Sequence, residues 1–133
     1  MLRDRITIYS RKLIKDERGW FVKIIDGKEK SLPQFSREIY VTSAKPGESK
    51  GGDYSLNTNK WFSIISGKAL LVLEDIDSKE HIELKLEENN PQTVFVPRRI
   101  ANKFYNLGEE DFILIAYADN IYDENDIIPY QIW

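Results

Sequence analysis

Along this chain, apolar residues either alternate with polar ones or cluster in runs of four to eight, and Gly, Pro, Asn and Asp separate the runs. That pattern belongs to strands and tight connections, and no stretch carries a helical period. It predicts strands at Arg5–Tyr9, Trp20–Ile25, Ser36–Ser43, Lys60–Ile65, Lys68–Asp75, His81–Leu86, Thr93–Val96, Lys103–Asn106 and Asp111–Tyr117. Ser66-Gly67 falls where a tight hairpin turn is needed, with Gly supplying a positive φ. Other turn signals lie at 17–19, 26–27, 45–52, 77–80, 88–91 and 107–110. Their regular spacing suggests a sandwich or barrel. The run Ala69–Leu73 (ALLVL) is apolar on both faces, so it should lie centrally in a sheet with a second layer or a second subunit over it.

Composition narrows the chemistry. The 133 residues form one expected domain, 1–133, large enough to bury a core without a metal or disulfide to hold it. There is no cysteine, which excludes disulfides, thiolate nucleophiles and cysteine-held zinc or iron–sulfur centres. A single histidine, His81, excludes any mechanism that needs two. His81 alternates with Ile82 and Leu84 among glutamates, as a solvent-facing strand residue does. With 19 basic and 22 acidic side chains interspersed, the net charge of −3 argues against a nucleic-acid-binding face. No apolar run approaches the ~20 residues of a membrane span, so a cytoplasmic protein is expected.

One spacing carries more. Gly47 is followed by five residues, then Asp53-Tyr54-Ser55, four more residues, Lys60, six more, and Gly67. Further on come Pro97, Arg99, Asn102 and Asn106. These intervals resemble the two motifs of the cupin superfamily, in which Asp53, Ser55, Lys60 and Asn102 stand at the four metal-ligand places. Only one of those four is a good transition-metal ligand, and an ammonium at a cation's place repels a cation. We therefore expect no metal and no cofactor.

Within the cupins the chain is similar to the dTDP-4-dehydrorhamnose 3,5-epimerases and the dTDP-sugar 3,4-ketoisomerases. The similarity rests on Asp16-Glu17-Arg18-Gly19-Trp20-Phe21, on Lys45-Pro46-Gly47 through Gly51 with Lys50 in an arginine's place, on Trp61–Ile76, and on the tail Leu114–Trp133. It implies an all-β, cupin-type jelly roll, a homodimer, and a nucleotide-linked sugar (dTDP or UDP) as the partner. Such enzymes remove a proton beside a ketone, so they need a base, a group to hold the enolate charge and an acid. The resemblance puts Asp53 at the base's place and Lys60 at the enolate-stabilising lysine's. The acid tyrosine's place falls near Ile115–Tyr117, which Tyr117 fills only with a shift in register.

Arg37 and Tyr40 match an Arg-X-X-Tyr segment that lines the ketoisomerase site, although residues three apart on a strand face opposite ways. Ser55, Asn102, Trp61 and Tyr105 are further candidates for the lining, and Arg98 and Arg99 for gripping a diphosphate. The same residues also fit plainer roles: packing aromatics, exposed loop arginines, and an Asp53–Lys60 salt bridge whose ammonium lowers the basicity of the carboxylate. Two functions stay open. One is isomerisation of a nucleotide-linked 4-keto-6-deoxy sugar in surface-polysaccharide biosynthesis. The other is a catalytically silent cupin that binds a nucleotide sugar or serves as a partner subunit, favoured by the loss of every family histidine.

Overall fold

Alternating side chains sort the chain into two facing antiparallel sheets. The computed structural model describes residues 1–29, 32 and 37–132. Its elements are a one-turn helix α1 (Leu2–Arg5) and strands β1 (Thr7–Ser10), β2 (Ile14–Asp16), β3 (Gly19–Phe21), β4 (Glu38–Ala44), β5 (Ser49–Ser55), β6 (Lys60–Ser66), β7 (Lys68–Asp75), β8 (His81–Glu87), β9 (Gln92–Val96), β10 (Ile100–Tyr105), β11 (Phe112–Ala118) and β12 (Ile127–Pro129). The first sheet runs β1-β9-β6-β11-β4 and the second β12-β5-β10-β7-β8, while β2 and β3 form a separate hairpin. Among the described residues no helix is long and apolar enough to cross a membrane.

Between the sheets lies the main core, which includes Phe62, Leu71, Leu73, Val94, Phe104 and Phe112. Phe62 and Phe104 meet across it edge to face, centroids 4.9 Å apart. The apolar run in β7 behaves as its pattern requires, since β7 lies between β10 and β8. Its Leu71 and Leu73 face the main core, and Val72 packs outward with Ala101 under Ile132 of the C-terminal tail. The second layer over this strand is thus the chain's own tail.

Several expectations are corrected. A helical turn does form at the N-terminus: Leu2 is buried, and Arg5 Nη1 donates to Asp75 at 2.6 Å. The strand expected at Trp20–Ile25 is present only as β3, because Ile24 turns onto the first sheet, where its carbonyl accepts a hydrogen bond from Arg11 at 2.8 Å. The strand expected at Ser36–Ser43 is seen as β4; Ser36 itself lies outside the described residues.

The turn at Ser66-Gly67 exists, with Gly67 at φ +82°, but it closes no hairpin. Its two strands enter different sheets, β6 pairing with β9 and β11, and β7 with β8 and β10. A turn signal reports a change of direction and says nothing of the partner. The stretch 45–52, which reads as a turn, is a turn only over its first half. From Ser49 it is β5, and Gly51 and Gly52 sit inside the strand at positive φ.

Candidate active site

Three strands of the first sheet build one wall of a cavity. On β11 the inward residues are Leu114, Ala116 and Ala118, of which Leu114 and Ala118 line the space. Ala116 is paired with Tyr40 on one side and Phe62 on the other, and Ala118 with Glu38 and Lys60. Asp53 faces them from β5 in the second sheet, in register with Asn102 of β10 and Pro129 of β12. The resulting space has two lobes. One, of about 340 Å³, reaches toward Thr58, Asn120, Tyr122, Asp123 and Asp126. The other, of about 390 Å³, reaches toward Thr42, Lys50, Gly51 and Asn102. Tyr40, Asp53 and Lys60 are the three residues that line both lobes. Volumes of this order suit small-molecule ligands.

The first lobe is held open by a clamp. Asp126 is 7% exposed and accepts from the backbone N–H of Asn57 at 2.7 Å and from the Thr58 hydroxyl. Asp119 accepts from the backbone and side chain of Asn59, each at 2.9 Å. Together they fix the 56–59 loop that delivers Lys60. At the mouth, Glu38 Oε2 accepts from the Tyr122 N–H at 3.1 Å.

The charges at the junction of the lobes are not spent on one another. Asp53 and Lys60 close no ion pair, and the Asp53 carboxylate accepts no hydrogen bond among the described residues. Burial pushes the Asp53 carboxyl above its ordinary range, and the nearby Lys60 ammonium only partly offsets it. The expected loss of basicity is therefore reversed, because desolvation outweighs the attraction. Lys60 Nζ lies 5.9 Å from the centroid of the Tyr40 ring. Burial first, then the Asp53 and Glu38 carboxylates, raise the Tyr40 phenol to about 12.

The residues singled out from sequence divide by which way their strand faces. Asp53, Lys60, Tyr40, Asn102 and Lys50 come together in the cavity. Trp61 and Tyr117 lie on the outer face of the first sheet, edge to face at 5.4 Å, beside Ile24, Ile39 and Thr93. Tyr117 is thus displaced from the acid's place by strand parity, and the inward residues beside it are alanines. Tyr105 packs on the outer face of the second sheet, where its hydroxyl donates to the Ile132 carbonyl at 3.3 Å. Ser55 is buried beyond Asp53, outside both lobes. Arg37 and Arg98 are exposed and line neither lobe, and Arg99 pairs with Asp77 at 3.1 Å. Sequence reasoning missed Glu38, Thr58, Tyr122 and Asp123. The alternation Glu38-Ile39-Tyr40-Val41-Thr42 was the available signal for the first of these.

A cupin metal would have to be held by Asp53, Ser55, Lys60 and Asn102. One carboxylate, a hydroxyl outside the cavity, an amide and an ammonium do not fit a transition-metal ion.

Residues 14–128 match the family described as the polysaccharide biosynthesis C-terminal domain. The chain belongs to that family. Among relatives of this polysaccharide biosynthesis domain, the spore coat polysaccharide biosynthesis protein SpsL of Bacillus subtilis is 28% identical over 120 residues, 85% of this chain and 79% of that protein. Two solved structures share the fold. A dTDP sugar isomerase from Desulfovibrio desulfuricans superposes with a TM-score of 0.86 at 16% identity, covering 95% of this chain and 83% of that one. The dTDP-6-deoxy-D-glucose-3,5-epimerase RmlC of Legionella pneumophila, solved with dTDP-4-keto-L-rhamnose, gives 0.81 at 19% identity over 93% and 71% of the two chains. The domain is a cupin-type jelly roll.

Proposed function

We propose that this protein isomerises a nucleotide-linked 4-keto-6-deoxy sugar in surface-polysaccharide biosynthesis, by moving a proton on a carbon next to the ketone. The observation that carries this reading is the junction of the two lobes, where an unpaired, partly buried carboxylate and an ammonium face one space. Asp53 takes the proton; its burial raises its basicity toward the working pH, as an enolisation base requires. Lys60 holds the negative charge that develops on the carbonyl oxygen. Two lobes meeting at these groups suit a ligand of two parts, a sugar and a nucleotide, and Lys50 at the second lobe is available to an anion. The structural kinship with dTDP-sugar enzymes supports the same substrate class.

The loss of histidine at positions 53 and 55 favours a second reading, a silent cupin that binds a nucleotide sugar without turning it over. One experiment separates the two. The protein is incubated with dTDP-4-keto-6-deoxyglucose in deuterated water, and deuterium at C3 or C5 is followed by NMR. Isomerase activity gives exchange, and Lys60→Ala slows it by roughly 100-fold. Measurable dTDP binding without exchange establishes the silent binder in its place.

A further inference from the structure

We propose that Tyr40 is the acid of this site and that the reaction inverts the carbon it protonates; this rests on the isomerase reading above. A proton transfer that inverts a carbon needs a base on one face and an acid on the other. The cavity supplies that arrangement from its two walls. Asp53 projects from β5 of the second sheet, while Tyr40 and Lys60 belong to β4 and β6 of the first. A substrate carbon between the walls therefore has the carboxylate on one side and the phenol on the other. Lys60 shares the wall of Tyr40 and lies over its ring.

The strand pairing explains how a tyrosine from an edge strand comes to serve. Tyr40 stands directly across from Ala116, and a methyl group there leaves the phenol free to extend into the cavity. The neighbouring Tyr117 points to the opposite face, against Trp61. A phenol is protonated at neutral pH, and burial with the Asp53 and Glu38 carboxylates tightens the hold of Tyr40 on its proton, so it begins the cycle holding the proton it must give.

The step balances as follows. The C–H bond beside the ketone breaks, its proton passes to a carboxylate oxygen of Asp53, and its electron pair forms the enolate, whose oxygen faces Lys60. The enolate collapses, the carbonyl re-forms, and a new C–H bond forms on the other face with the proton from the Tyr40 hydroxyl. Asp53 is left protonated and Tyr40 as a phenolate, with the Lys60 ammonium over its ring. Exchange with water resets both.

The test compares the parent protein, Tyr40→Phe and Tyr117→Phe on dTDP-4-keto-6-deoxyglucose in deuterated water, following deuterium uptake into substrate and formation of the inverted product separately by NMR. Tyr40→Phe keeps the base and the charge holder, so exchange should stay within about threefold of the parent. Its inversion should fall by about 100-fold, the loss expected of a missing general acid. Tyr117→Phe should match the parent in both. Equal inversion rates in parent and Tyr40→Phe would overturn the proposal. So would exchange and inversion falling together in Tyr40→Phe, which would make the phenol a part of the cavity wall only, or a parent that moves the ketone without inverting a carbon. A parent that shows no exchange refutes the isomerase reading itself, a failure visible before any variant is made.

Discussion

Asp53 stands in the cavity without a hydrogen-bond donor or an ion-pair partner among the described residues, and such a carboxylate is a cost to the fold. Its pKa is raised by burial, against the partial opposition of Lys60, so the folded state binds its proton more tightly than the unfolded chain does. The contribution of this group to stability is then fully present below the unfolded carboxyl pKa and is lost as pH rises through the folded one. Asp53→Asn should accordingly be more stable than the parent at pH 7, with the difference closing in acid; urea unfolding at both pH values measures it. A functional site that trades stability for reactivity behaves this way. At this scale the spacing of the motif is enough to pick out Asp53 and Lys60 from the sequence. Tyr117, Trp61 and Tyr105 were misplaced because 115–118 (Ile-Ala-Tyr-Ala) is apolar on both strand faces, while the stretches around 61 and 105 mix polar and apolar residues on both faces. Period-2 parity cannot be read from such runs.

The strand β5 carries Asp53, and its sequence conceals it. Gly51 and Gly52 read as turn residues, yet the pairing of β5 with β10 shifts register between Asn102 and Lys103, and a bulge there needs a residue that tolerates positive φ. Gly51 has φ +93°, and a Cβ at that position would sit 2.7 Å from the Asn102 carbonyl oxygen. Both effects oppose a side chain. Gly51→Ala should cost about 2 kcal/mol from the backbone conformation alone and lower the melting temperature by roughly 5–10 °C, as calorimetry would record. Because Gly51 lies two residues from Asp53, the proposed exchange reaction should slow even where the variant remains folded. The same physics explains the turn at Gly67, which is close-packed against the backbone of Asp111 and Phe112. Its tightness was foreseeable from sequence, but the jelly-roll exchange between sheets that it performs depends on distant strands.

Taken as one molecule, the two sheets each have an outer face covered by a terminal part of the chain. The C-terminal tail, through Ile132, covers Val72 and Ala101, and the segment through Ile24 and Ile25 lies over Trp61 and Thr93. That second cover is pinned by an ion pair that no hydrophobic pattern predicts. The side chains of Arg11 and Glu29 are 7% and 1% exposed and bonded to each other, and Asp26 stands 3.7 Å from the guanidinium. Burial by itself would push the Glu29 carboxyl up. The N–H groups of Asp26 and Glu29, with Arg11, outweigh it and hold the group at about 2, against 4.5 for a free glutamate. A depressed carboxylate adds stability above the unfolded pKa and loses it as pH falls through the folded one, so this pin should weaken between about pH 4.5 and pH 2. Glu29→Gln leaves the buried guanidinium its neutral acceptors, the Ile24 carbonyl and the Thr93 hydroxyl, and only the more distant Asp26 as a carboxylate partner. It should therefore destabilise the protein by about 3 kcal/mol at pH 7. As pH falls through that window the parent protonates Glu29 and comes to resemble the variant. Their urea midpoints, well apart at neutral pH, should then converge, with Trp61 fluorescence reporting release of the segment that covers it.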